Sequence, residues 1–161
     1  MEKNIYLEGV AALYAAEVLG EGLASRWLEL SSVPDQRYKL GLFLQLESEA
    51  KVRLRPLLSR HGLSLVEDER QRSAGASVAE KFASMPWAAA MAELAVLAVP
   101  YRDRFQALAH AAPPEDVPLV SFMAHHEAAV IRFAEREARG EGSLEHDLLP
   151  MLLCPFARPC S

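Results

Sequence analysis

A chain of 161 residues with 51% hydrophobic and 24% charged side chains can close a single core and is too apolar to stay disordered. A formal net charge of −5 argues against a protein built to grip nucleic-acid phosphates. Cys154 and Cys160, both in the last eight residues and without a C-x-x-C spacing, exclude a disulfide framework.

The amino terminus, Met-Glu-Lys-Asn, has no basic-then-apolar targeting pattern, and the expectation is a cytoplasmic protein. The longest apolar stretch, Trp87 to Val99, is interrupted by Glu93 and bounded by Pro86 and Pro100, which is too short for a bilayer span. No threonine occurs and Ala, Leu, Glu and Arg dominate, a composition that favours helix throughout. The reading is one all-α domain over residues 1–153, followed by a flexible tail over 154–161.

In chain order, a first helix is predicted from Asn4 to Leu30. Ser31-Ser32-Val33-Pro34 breaks it, with Asp35 as the next N-cap. A second helix runs from Gln36 to Arg60, with a kink or an early stop expected at Pro56, and Gly62 ends it in the left-handed conformation. Ser64 to Ser77 reads as a long polar connection that crosses over the bundle, followed by a short helical piece from Val78 to Ala83. Ser84 is the predicted cap of a third long helix, Pro86 to Ala111, which contains Pro100. Glu115 and Asp116 place acid at the start of a fourth long helix, which Gly140 stops after Arg139. A short segment from Leu144 to Leu153 packs on the bundle.

At 100° per residue each helix shows one apolar stripe. On the first helix Val10, Leu13, Ala24 and Leu28 form it, and Glu17 falls in its middle with Glu21 one turn on. On the second, Leu40, Phe43, Ala50, Leu54 and Leu57 surround Glu47. On the fourth, His126 and Glu127 flank the stripe of Val120, Met123, Val130 and Ala134, while His125 points away. Glu93, on the third, sits at the edge of its stripe or outside it. A carboxylate in a core is costly unless it is paired or bound to metal. Two explanations therefore stand: a metal site, for which carboxylate and imidazole are standard ligands, or a hydrogen-bonded acid cluster with Tyr14, Tyr101 or Arg102 as partners. Gly20 and Gly22, inside the first helix, read as close helix packing. Trp27, Phe82 and Trp87 are candidate interface residues.

This arrangement, with Glu17, Glu47 and a His125-His126-Glu127 run on three helices, resembles the ferritin-like superfamily of four-helix bundles with a crossover connection. The resemblance covers Asn4 to Arg139. In di-iron members two helices give one Glu each and two give Glu-x-x-His. The resemblance puts Glu17, Glu47 and Glu127 in three of the carboxylate positions. Ala50 and Val130 stand where the two histidines belong, so no Glu-x-x-His occurs. It thus implies a degenerate member whose carboxylates serve structure, dimerisation or partner binding. The alternative is a site for iron or manganese built from Glu17, Glu21, Glu47, His126 and Glu127. A homodimer is expected, with neither nucleic acid nor membrane as partner; whether a small-molecule ligand exists is open, a pocket lined by Tyr14, Phe43, Met91 and Met123 being one possibility.

Overall fold

The computed structural model describes residues 2–142 and 144–158. The elements are α1 (Glu2–Leu30), α2 (Pro34–Arg60), α3 (Glu69–Ala83), α4 (Trp87–His110), α5 (Val117–Ala138), a single turn α6 (Leu144–Asp147) and a 3₁₀ turn (Leu149–Met151). The described residues contain no strand, and none of their helices is long and apolar enough to cross a membrane.

The directions of the long helices follow from which halves share a core. The amino-terminal half of α1, the carboxy-terminal halves of α2 and α4 and the start of α5 bury Val10, Leu13, Leu54, Leu57, Phe105, Val120 and Met123 in one cluster. The opposite halves bury Ala24, Trp27, Leu40, Phe43, Met91, Leu94, Val130 and Phe133 in another. Hence α1 runs antiparallel to α2 and α4 and parallel to α5. The helices α2 and α4 enter from the same end, so the chain between them must travel the full length of the bundle. The segment that does so is α3, packed along α1.

That segment differs from its prediction. Helix begins at Glu69 rather than Val78, because Asp68 caps it through its side chain to the Arg70 amide and Glu69 favours the helix dipole. Its buried face is Gly75, Ala79 and Phe82, too small a stripe to stand out among the charges around it. A Cβ on Gly75 would lie 2.1 Å from the Leu19 carbonyl oxygen, and one on Gly22 would lie 2.4 Å from the Arg72 carbonyl oxygen. Both glycines therefore let the α1 and α3 backbones touch.

Three smaller expectations are also corrected. Val33 occupies the N-cap of α2 with Pro34 in the first turn, so Asp35 acts from inside that turn, where it pairs with Lys39 at 2.6 Å. Ser84 ends α3 rather than starting α4. Pro56 does not stop α2, which runs on to Arg60, whereas Pro100 lies inside α4 as expected. Gly62 and Gly140 take positive φ, as helix-stopping glycines do. Trp27 and Phe82 are buried against each other and belong to the core, while Trp87, partly buried, packs on Trp27. Cys154 is an exposed free thiol, and Cys160 lies outside the described residues. The tail, as far as Arg158, lies against α2: Glu49 accepts from the Leu153 amide, and the Phe156 ring packs edge-on to Tyr38.

Candidate functional site

Between the two apolar clusters, halfway along the bundle, lies a layer of charged side chains. Glu17 from α1 and His126 from α5 are fully buried, Glu47 from α2 is 5% exposed and Glu127 from α5 is 9% exposed. His126 Nε2 is 3.1 Å from Glu47 Oε1, and its Nδ1 is 3.8 Å from Glu17 Oε1. One ligand atom from each of Glu17, Glu47 and His126 falls within 4.8 Å of the others. Each is delivered by the middle of a long helix whose flanking turns are locked in hydrophobic core, so the three donors are held by packing rather than by loops.

The layer is poorly satisfied. Neither carboxylate oxygen of Glu17 has a hydrogen-bond partner, and neither does Nδ1 of His126. Buried charges elsewhere are all met by opposite charge. Lys51 is held by Glu21 and Glu67, Asp116 by Arg60, Glu137 by Lys39, and Asp147 by Arg132 and Arg136. In the central layer the only cationic group available is His126. Tyr14 donates to the Leu65 carbonyl and Arg102 pairs with Asp103, so neither is the partner the sequence offered for an acid cluster.

Electrostatics follow from this burial. Loss of solvent pushes the Glu17 carboxyl well above its ordinary range; His126 opposes this, and Glu47 and Glu127 reinforce it. Glu127 is likewise pushed up by burial, to about 8, with His126 opposing and Glu47 adding. For His126 burial disfavours the charged ring, but Glu17 and Glu47 outweigh it and raise the imidazole to about 10. The charges of the layer are thus mutually dependent: ionised carboxylates favour the imidazolium, and the imidazolium favours an ionised Glu17.

Beside these groups is a cavity of about 40 Å³, lined by Glu47, Glu127, Gly20, Phe43, Ala98 and Tyr101 among others. That is room for an ion or a water and little more. Gly20 is part of the construction. A Cβ there would lie 2.0 Å from Glu47 Oε2, so only glycine leaves space for that carboxylate.

No family model, curated protein or solved structure matches this chain.

Of the five residues singled out in the sequence, Glu17, Glu47 and His126 converge, and Glu127 lines the adjoining cavity. Glu21 faces elsewhere: it accepts from Ser48 at 2.6 Å, from Lys51 at 2.5 Å and from Arg72 at 2.8 Å. Burial alone would raise its pKa, but these three donors hold it down to about 2. It belongs to a clamp joining α1, α2 and α3. His125 is exposed, and Glu93 is exposed and bound to Lys81.

Two features have roles that the sequence reading did not give them. Gly20, read as close helix packing, is one, because it clears space for Glu47. The other is Asp116, read as a helix-dipole acid but in fact a fully buried hub. Tyr6 Oη donates to its Oδ2 at 2.8 Å, His61 Nε2 lies 2.7 Å from the same oxygen, and Arg60 reaches Oδ1 at 2.9 Å. It ties α1, the end of α2 and the start of α5 together at one end of the bundle. Its only sequence signal was an acid following Pro113-Pro114, which also fits an ordinary helix start.

Proposed function

We propose that this protein is a metal-binding helical bundle of the ferritin-like type, with Glu17, Glu47 and His126 as ligands to one divalent ion. The observation that carries this reading is the set of orphaned donors. Both Glu17 oxygens and His126 Nδ1 are buried without a hydrogen bond, and Glu17, Glu47 and His126 each offer a ligand atom within 4.8 Å of the others. An unsatisfied buried acid costs of order 1–3 kcal/mol, and selection keeps such a cost where a site uses it.

The donor set fits an ion. Two carboxylates and a neutral imidazole suit iron, manganese or zinc, and their two negative charges balance a divalent cation. Glu127, beside Glu47, is placed either to complete the ligand set or to hold a proton at the cavity. Held there, iron or manganese would supply Lewis acidity and a redox couple, and zinc Lewis acidity alone.

The chain's own residues define the rest. The cavity admits nothing larger than water or a diatomic molecule next to the donors. Leu94, Leu97, Ala98 and Val130 make most of its wall apolar. The two carboxylates of α4, Glu93 and Asp103, are both exposed, and Val130 stands where a second histidine would be needed. These departures support a single-ion centre over the two-iron arrangement. The up-down-down-up course of α1, α2, α4 and α5, with α3 as the crossover, supports the ferritin-like assignment.

Binding displaces protons, since burial favours the protonated Glu17 carboxyl and the neighbouring carboxylates favour the protonated His126 ring. A Co²⁺ titration of metal-free protein tests the reading. The expected result is a saturable visible band accompanied by proton release. Absence of a saturable spectrum, or the same spectrum in His126→Gln, would sink it.

A further inference from the structure

A concavity much larger than the one at the charged layer lies elsewhere. A cleft of about 920 Å³ runs between the first turns of α1 and the last turns of α4, walled by Ile5, Gly9, Ala12, Phe105, Leu108 and Ala111. Its volume lies at the upper end of what small-molecule sites span. Its length along α4, from Tyr101 to Ala111, is about 15 Å at the rise of an α-helix. Gly9 keeps the floor tight, because a Cβ there would lie 2.5 Å from Leu108 Cδ1.

The polar groups around the cleft are unequal. Arg104, on its wall, lies 5.9 Å from the Tyr101 ring and has no carboxylate or carbonyl partner among the described residues. Most other arginines, such as Arg26, Arg60, Arg72 and Arg132, are engaged by carboxylates. Glu115 stands at the opposite end, next to Pro113, and disfavours negative charge there. His61 also lines that end, but its Nε2 is committed to Asp116. The Asp116 hub fixes the helix ends that form this part of the cleft, so its shape exists before anything binds, which lowers the cost of binding.

We infer that this cleft binds a small organic acid with a largely apolar body, its carboxylate on Arg104 and its chain running along α4 toward Pro113. Arginine matches a carboxylate in charge and in its forked geometry. The apolar wall supplies the remaining contact. Tyr101 lines both this cleft and the small cavity at the charged layer, so the bound head group would lie one side chain away from Glu127. The inference does not depend on metal, and its test is done without metal.

Isothermal titration calorimetry of the full chain in EDTA, with decanoate and decanol as probes, decides it. Saturable one-to-one uptake of decanoate is expected, about tenfold tighter than decanol. Arg104→Gln should erase that preference while leaving decanol binding in place. Ala107→Trp, at an exposed cleft position, should block both probes without unfolding the protein by circular dichroism. No saturable uptake by folded wild type, or an undiminished preference in Arg104→Gln, would overturn the inference. So would a dimer in sedimentation that Ala107→Trp splits, because the cleft would then be covered by a second copy.

Discussion

Replacing Glu17 with methionine should make the metal-free protein more stable, although the carboxyl group is lost from the centre of the bundle. Glu17 is fully buried and both of its oxygens lack partners. Burial favours its protonated form, and His126 keeps Glu47 as its closer partner when Glu17 is replaced. Each unsatisfied buried polar atom costs about 1–3 kcal/mol. Methionine fills nearly the same length with no polar atom and adapts to irregular space. Allowing for imperfect fit, the net gain is about 2 kcal/mol, the lower end of the range for two such oxygens. For a domain of this size 1 kcal/mol moves the melting temperature by ~2–4 °C, so a rise of ~4–8 °C is expected. Differential scanning calorimetry of wild type and Glu17→Met, both in EDTA at neutral pH, measures it. A fall in melting temperature of similar size would refute the reasoning, because it would show that the carboxyl makes favourable structural contacts. In that case the inward acids would be scaffold and not site.

Other outcomes follow from the same geometry. Asp116→Leu should behave oppositely and cost about 1–3 kcal/mol in urea denaturation, since it strands the buried Tyr6 hydroxyl and the half-buried His61 ring; a neutral effect would remove the hub from the account. Gly20→Ala should leave the fold intact, because its Cβ meets only the flexible end of Glu47, yet weaken Co²⁺ binding by about tenfold or more by displacing that carboxylate. Gly75→Ala meets backbone at Leu19 and should destabilise by about 1–3 kcal/mol through parting α1 from α3, with metal binding at saturating Co²⁺ retained. Metal-free protein should also lose stability as pH rises. Glu127 and Glu17 hold protons more tightly folded than unfolded, so their contribution is complete below the ordinary carboxyl value of 4.5 and is lost as pH passes about 8 for Glu127. His126 adds a contribution that is complete below 6.5 and lost toward 10. Urea midpoints measured from about pH 5 to about pH 9 should therefore fall steadily, and a flat or rising series would contradict the assigned protonation states.

Helix content and helix ends were legible because proline and glycine punctuate the chain and the apolar stripes repeat at helical spacing. The inward faces of Glu17, Glu47 and His126 were legible for the same reason: a polar residue amid a stripe has nowhere else to go. Glu21 was misjudged because one helical turn separates it from Glu17, and periodicity cannot tell that Lys51 and Arg72 reach it from α2 and α3. The crossover helix was shortened in the reading because its buried face consists of glycine and alanine, which carry almost no hydrophobic signal. The Asp116 hub and the cleft were invisible, since both arise where ends of different helices meet, and nothing in local sequence encodes that meeting.

The most direct test of the metal centre is elemental analysis of protein expressed with added iron and manganese, set beside Glu17→Met, Glu47→Gln and His126→Gln. The account predicts close to one ion per chain in the wild type and loss of that ion in all three variants. Folded wild-type protein that carries no stoichiometric metal, or variants that keep it, would contradict the central claim.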